Sequence, residues 1–494
     1  MTLKDRLSIK KPSAPKARIF LHSMAANAAT VFDKLAFFAL SVITARYLGL
    51  EQFGEYASAL AFATFFSIFA DLGAGSALVR AVSLQRELER AHFASALKAK
   101  LLFSICAYGA LAVALYFSGF NRNTVYLALV LGVARAGNVF LAGFYALYDA
   151  KERFFLSSFF NSSFSLSVLA GTIFVVLLRG DYFALAWVRA WIVVAYIAVV
   201  GALTLYYFRP LWKPGLLRGF LESAVPFGLS SLFGSISQNA AVPILSLLHG
   251  TTPAGIFTNG YLFLSSLFFI PSNLNRVLLP YLYRCSYPEE KEKFQFAHDI
   301  YAKLYALISF YVFIVLFFYS REFILIVFGE RYAASIDVLR VSAFGVPFVF
   351  TVAGALIQAL DLQRTLARLQ GMAAAFNIIV CVVCIRLFGS EGAAGAVVLT
   401  NALLFFSMYF FLYRRHSVRL YRTFFVYVKL VLIALALYAL YATIFSTLFS
   451  VCSFLITSAL YAAAAALFLI TKDDIRVIRE TVGAKWVSIE DRKI

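Results

Sequence analysis

The stretch LGLEQFGEY (Leu48–Tyr56) returns in outline as HGTTPAGIF (His249–Phe257). Gly49 matches Gly250, Gly54 matches Gly255, Tyr56 matches Phe257 and Phe62 matches Phe263, all at an offset of 201 residues. Each copy lies between two long apolar runs and carries almost no positive charge. Two glycines at a common offset say little alone. Set between equivalent apolar runs, they indicate a duplicated membrane protein, an organisation found among transporters.

Composition agrees. A mean hydropathy of +0.83, with 62% hydrophobic and 14% charged residues, excludes an ordinary soluble protein. The apolar runs have the length that crosses a bilayer as a helix, and they are solid rather than alternating, which excludes a strand barrel. Spans are expected near 20–48, 54–82, 94–118, 124–148, 154–178, 182–208, 219–248, 254–283, 297–328, 335–360, 365–388, 392–413, 423–446 and 450–471. The expected fold is an all-α integral membrane protein of about fourteen transmembrane helices.

The net charge of +19 does not point to nucleic acid, because its distribution is that of a membrane protein. Basic residues fill the N-terminus and then every second loop: Arg86, Arg90, Lys98 and Lys100; Lys151 and Arg153; Arg209, Lys213 and Arg218; Arg284, Lys291 and Lys293; Arg364 and Arg368; Arg414, Arg415, Arg419 and Arg422. With the two tails these account for 30 of the 44 lysines and arginines. The positive-inside rule places both termini and all these loops in the cytoplasm. Residues 1–19 are basic, contain Pro12 and Pro15 and lack a signal peptide's apolar core, so they read as a cytoplasmic tail.

Six spans separate the two glycine stretches, so the repeats share one orientation, with a pseudo-symmetry axis along the membrane normal. Residues 20–208 are expected to form one six-helix lobe and 219–415 a second, joined by the linker 209–218 (RPLWKPGLLR). Residues 416–471 add two helices, and 472–494 form a second cytoplasmic tail. Cys381-x-x-Cys384 has the spacing of a redox or metal half-site, but no histidine or carboxylate accompanies it on its apolar run, and packing accounts for it. No metal or cofactor is expected.

Several phrases resemble the Wzx-type polysaccharide flippases of the multidrug/oligosaccharidyl-lipid/polysaccharide exporter superfamily. They are ARYLGLEQFGEYASALAF (Ala45–Phe62), FADLGAGSALVR (Phe69–Arg80), VFGERYAASIDVLRVSAFG (Val327–Gly345) and LFGSEGAAGAVVLTNALLF (Leu387–Phe405). The resemblance implies two six-helix lobes around a central cavity that opens alternately to either side. It implies an oligosaccharide on polyprenyl pyrophosphate as substrate, an inner-membrane location, and a lipid-tail groove formed with the last two helices. Membrane lipids and polysaccharide polymerase and chain-length machinery are the partners it implies.

Charges inside the spans carry the functional reading. Lys34 and Arg135 fall near the middle of their spans, and Arg189, Arg276 and Arg340 at intermediate depth. A basic side chain at the bilayer centre costs about 2.5–3.5 kcal/mol on insertion scales, so most are expected to line the bundle interior as a net-cationic cavity. Such a cavity suits a pyrophosphate or an anionic sugar. Asp33 and Asp71 are the acids available there, either to pair with these cations or to hold a coupling ion. Neighbours on a helix point about 100° apart, so Asp33 and Lys34 are not an automatic pair. Tyr145, Tyr148, Tyr261, Tyr281 and Tyr283 suit either sugar contact or an interfacial belt. Gln238 and Asn239 are candidates to face the cavity, and Pro226, Pro243, Pro271 and Pro280 are expected to kink helices seven and eight.

The expected function is translocation of a lipid-linked oligosaccharide from the cytoplasmic to the periplasmic leaflet for cell-surface polysaccharide synthesis. A cation-coupled multidrug exporter of the same superfamily is the alternative, although cationic drugs would favour acidic rather than basic cavity residues. A membrane polymerase or ligase acting on such glycolipids is a third reading. It fits poorly, because the outward loops are short and the five histidines scattered. The chain is therefore read as a non-enzyme.

Overall fold

Hydrocarbon offers a peptide no hydrogen-bond partner, so each apolar run must close its own hydrogen bonds, and each does so as a helix. The computed structural model describes residues 15–151, 153–213, 216–284, 291–416, 418–443 and 450–469. Both tails beyond these limits, Pro214 and Gly215 of the linker, and Cys285 lie outside the described residues. Every regular element among the described residues is helical, as expected.

Eleven described helices are long and apolar enough to cross a membrane, or twelve if the bent pair Ser335–Ala343 and Val346–Ala359 counts as one span, against the fourteen expected. The difference arises in Val31–Val82 and Gln363–Arg415, of 52 and 53 residues. A straight helix of that length would measure about 80 Å, more than twice the hydrocarbon thickness. Each instead joins two helical legs across a kink, at Gly49 (φ 75°, ψ 176°) and Gly389 (φ 55°, ψ −127°).

The repeated glycines take the same backbone conformation. Gly250 has φ 87° and ψ −177°, close to Gly49, a region in which a Cβ clashes with the backbone. Gly329, in the VFGERY phrase, repeats it at φ 90° and ψ 174°. Two further helices start on side-chain caps: Asn121 accepts from the Thr124 N–H at 2.7 Å, and Asp181 from the Ala184 N–H at 2.8 Å.

Several expected spans are broken. The span 54–82 stops at Asp71, turns through Leu72 (φ 36°) and Gly73 (φ 77°), and resumes as Ala74–Leu84. The span 219–248 divides into Leu216–Asn239 and Ala241–His249, and 254–283 into Thr251–Leu267 and Phe269–Arg284. Pro243 and Pro271 lie in the first turn after these breaks, where a missing N–H costs nothing. Helices Leu216–Asn239 and Phe269–Arg284 run on past Pro226 and Pro280.

Contacts group the chain into two units, residues 1–47 with 62–232, and 48–61 with 233–494. The expected linker 209–218 falls inside the first unit instead of at its boundary. Close backbone packing explains both displacements. In the first unit, a Cβ on Gly73 would lie 2.8 Å from the Ala224 carbonyl oxygen and from Gly228 Cα, so Leu216–Asn239 begins pressed against the break after Asp71. In the second, a Cβ on Gly54 would lie 2.5 Å from the Thr251 carbonyl oxygen, and one on Gly255 2.9 Å from Gly54 Cα. The two halves of the repeat thus meet backbone to backbone, as small residues allow helices to do in lipid.

The second unit holds an apolar core around Leu245, Phe257, Val338, Cys381 and Val397. A second cluster packs Lys291–Phe318 against the last two helices, where Tyr319 bonds Ser453 and Thr457, each at 2.9 Å. Gly54→Ala is expected to cost about 1–3 kcal/mol through overpacking. Gly109→Ala, with nothing within 4 Å of its Cβ position, is expected to be neutral or to gain up to about 1 kcal/mol. Thermal unfolding of the purified variants in detergent checks the contrast.

Candidate functional site

Lys100 is not a loop cation. It lies on Glu89–Tyr116, its side chain is 0% exposed, and its ammonium pairs with Asp71 and donates to the Val139 carbonyl at 3.2 Å. The path for its side chain exists because position 143 is glycine: a Cβ there would lie 2.9 Å from Lys100 Cδ. A buried ammonium loses its hydration and needs both an opposite charge and further acceptors, and Lys100 has both. Asp71 is thus taken by a charge pair within the first unit. The sequence signal was the polar-apolar register of 89–100, where Lys100 shares a helical face with Ala96, Phe93 and His92, all of them buried.

Asp33 is held differently. One of its oxygens accepts from the Asn161 side-chain amide, on Phe154–Leu177. The other is buried and has no hydrogen-bond partner among the described residues. Tyr145 on Arg122–Ala150 lies in electrostatic reach of Asp33 and Tyr196, and its hydroxyl is likewise buried without a hydrogen-bond partner. Lys34 turns away from its neighbour onto the exposed surface, between exposed Phe32 and Leu35. Arg135 and Arg189 are half-buried on the adjacent helices Arg122–Ala150 and Tyr182–Phe208. The first unit therefore gathers both acids and three of the five candidate cations.

The other two cations belong to the second unit. The Arg340 Nε donates to Ser320 Oγ at 3.0 Å and its Nη1 lies 3.2 Å from Asp337 Oδ1, an exposed pair one helical turn apart. The side chain of Arg276 lies outside the described ones. Tyr148 and Tyr261 are packing residues: Tyr148 bonds Thr204 at 3.1 Å against Phe208, and Tyr261 stacks on Phe257 with ring centroids 5.2 Å apart. Tyr283 is exposed, and Tyr281 has no described side chain. Asn239 spends its amide on its own helix, donating to the Ser235 carbonyl at 2.8 Å, while Gln238 is exposed. Cys381 sits within the apolar core, its Sγ 3.7 Å from Asn377 Oδ1.

A crevice within the first unit is lined by Phe66, Ser67, Ser104, Tyr108 and Gly132 and encloses at most 210 Å³. Ligand pockets begin at about 300 Å³, so it holds no oligosaccharide. The charges lie elsewhere in the first unit: Lys34, Arg135 and Arg189 sit within its long helices, and Lys100 is already paired with Asp71. Basic groups at this depth favour an anion, and one oxygen of Asp33 stays without a hydrogen-bond partner among the described residues.

The folds that this chain shares are those of membrane transporters. It is similar to the lipid II flippase MurJ in its inward closed conformation, with 14% identity and a TM-score of 0.72, over 91% of this chain and 98% of that one. It is similar to an inward-facing multidrug resistance MATE family transporter of the MOP superfamily, with 14% identity and a TM-score of 0.65, over 80% and 98% of the two chains. A third similar structure is a MOP superfamily transporter from Pyrococcus furiosus described by the reverse polarity of its binding pocket. It shares 15% identity and a TM-score of 0.56 over 82% and 96% of the chains. At these identities the likeness is one of fold. No curated protein sequence is significantly similar to this one. Residues 24–286, more than half of the chain, match the family described as polysaccharide biosynthesis protein. This multi-pass membrane protein belongs to that family.

Proposed function

We propose that the protein is a Wzx-type flippase that carries a polyprenyl-pyrophosphate-linked oligosaccharide from the cytoplasmic to the outer leaflet of the inner membrane by alternating access. The observation that carries the reading is the placing of Lys34, Arg135 and Arg189 well inside membrane-length helices of the first unit, in a chain of the polysaccharide biosynthesis family. Guanidinium and ammonium groups at membrane depth are costly unless an anion offsets them, and a pyrophosphate supplies that charge with several strong acceptors. With the cytoplasm negative, outward movement of an anion is downhill by about 2.3 kcal/mol per charge per 100 mV. A cationic drug would meet the opposite field.

The two acids take separate roles in this reading. Asp71 is a pairing residue, since Lys100 already neutralises it. Asp33 is the coupling carboxylate, since one of its buried oxygens has no hydrogen-bond partner among the described residues. Lys34, Arg135 and Arg189 attract the substrate. Arg340, already held by Asp337 and Ser320, contributes less.

Lys34→Ala and Arg135→Ala should each abolish most export in cells that depend on the surface polysaccharide, while expression and unfolding temperature stay unchanged. Arg340→Ala should keep most export. Co-purified glycolipid, read by mass spectrometry, should fall in the first two variants. Normal export by both, or saturable binding of cationic drugs with no bound glycolipid, sinks the assignment.

The acids are separated by stability. Asp71→Asn takes the counter-charge from a buried ammonium and, with Asp71 itself partly exposed, should cost on the order of 1–3 kcal/mol, much of which adding Lys100→Met should recover. Asp33→Asn should leave unfolding nearly unchanged and instead remove the dependence of transport in proteoliposomes on pH or sodium. A destabilisation by Asp33→Asn as large as that by Asp71→Asn would refute the division of roles.

A further inference from the structure

Three helix ends meet at one end of the first unit: the start of Glu89–Tyr116, the end of Arg122–Ala150 and the end of Tyr182–Phe208. Lys151 joins the first two by an ion pair to Glu89 at 2.9 Å and lies 4.4 Å over the Phe208 ring. The segment after Phe208 then folds back along this end. The Leu211 N–H donates to the Arg90 carbonyl at 3.2 Å, and Lys98 Nζ sits 4.1 Å from the centre of the Trp212 ring.

This strap is amphipathic in an unusual way for a connecting segment. Leu211 and Trp212 are 54% and 53% exposed, so the fold leaves two large apolar side chains uncovered. Around them stand Arg90, Lys98, Arg209 and Lys213, all exposed, none with an ion-pair partner among the described residues. Lys151 and Glu89, the pair nearby, already satisfy each other.

We propose that this strap is a binding site for anionic phospholipid, with Leu211 and Trp212 among the upper acyl carbons and the four cations around the phosphate. The three helices that end here are each long enough to span a bilayer, so their ends lie at headgroup level. A tryptophan is stable at that depth, with its ring in apolar surroundings and its N–H toward water. A soluble anion would satisfy the cations but leave Leu211 and Trp212 in water. A lipid carrying a negative headgroup covers both parts at once, and basic groups at a membrane surface favour it over a zwitterionic one. The site is independent of the cargo proposed above.

The test uses the full chain with Trp187→Phe, Trp191→Phe and Trp486→Phe, which leaves Trp212 as the sole tryptophan. It is reconstituted into phosphatidylcholine bilayers containing either brominated phosphatidylglycerol or brominated phosphatidylcholine at the same mole fraction. Quenching per brominated lipid should be several-fold greater with phosphatidylglycerol, and high salt should reduce the excess by screening. Adding Arg90→Gln, Lys98→Gln, Arg209→Gln and Lys213→Gln should remove it. Equal quenching by the two lipids overturns the proposal, as does an excess that survives both high salt and charge removal. Relief of the excess by a small fraction of polyprenyl pyrophosphate also overturns it, because the strap would then serve the carrier lipid and not bulk phospholipid.

Discussion

Close backbone contact between helices is the constraint on which the rest of this structure depends. In hydrocarbon, leucine gains nothing by leaving lipid for protein, so helices adhere through dispersion forces and hydrogen bonds at short range. That requires positions without side chains. Gly54 and Gly255 provide one such place, Gly73 and Gly228 another, and in each a single added carbon would sit within 3 Å of backbone. These two seams decide how residues 48–61 and 216–232 are partitioned between the units.

The same constraint opens the path for the buried charge. Lys100 reaches Asp71 past Gly143, where any side chain would fill its channel. Once the pair is made, the two intramembrane acids cease to be equivalent: one is spent on stability and the other keeps an oxygen without a partner. Pairing and coupling are alternatives for a carboxylate, because a group that must exchange a proton or cation cannot remain committed to a buried ammonium. The fold pairs Asp71, at the end of the second helical leg, with Lys100 and leaves Asp33, in the middle of the first leg, with an oxygen free of hydrogen bonds among the described residues.

Much of the architecture was legible from hydropathy, because hydrocarbon leaves helices as the economical solution for a long apolar run. The glycines at 49 and 250 were legible for a related reason: a conformation that excludes Cβ leaves a fixed mark in sequence. Gly329 was visible in the same way but lacked a partner at the 201-residue offset. The break at Phe268 was marked by Pro271, one of the prolines expected to kink helix eight, whereas the break after Asp71 fell inside the expected span 54–82. Lys100 misled the charge reading because its side chain crosses from a helix near the basic loops into the packed interior. Hydropathy counts a charge by its position along the chain, whereas its partner is found across it.

The sequence by itself determined that this is a helical membrane protein with a duplicated glycine turn and more cations than acids within its spans. Those properties are local: they follow from run length, residue type and backbone conformation. Only the tertiary structure decided which charges are available. It placed Arg340 against Ser320, buried Lys100 on Asp71, turned Lys34 to the surface and left one oxygen of Asp33 open. Pairing depends on distances of a few ångströms between helices remote in sequence, and no pattern along one chain records them.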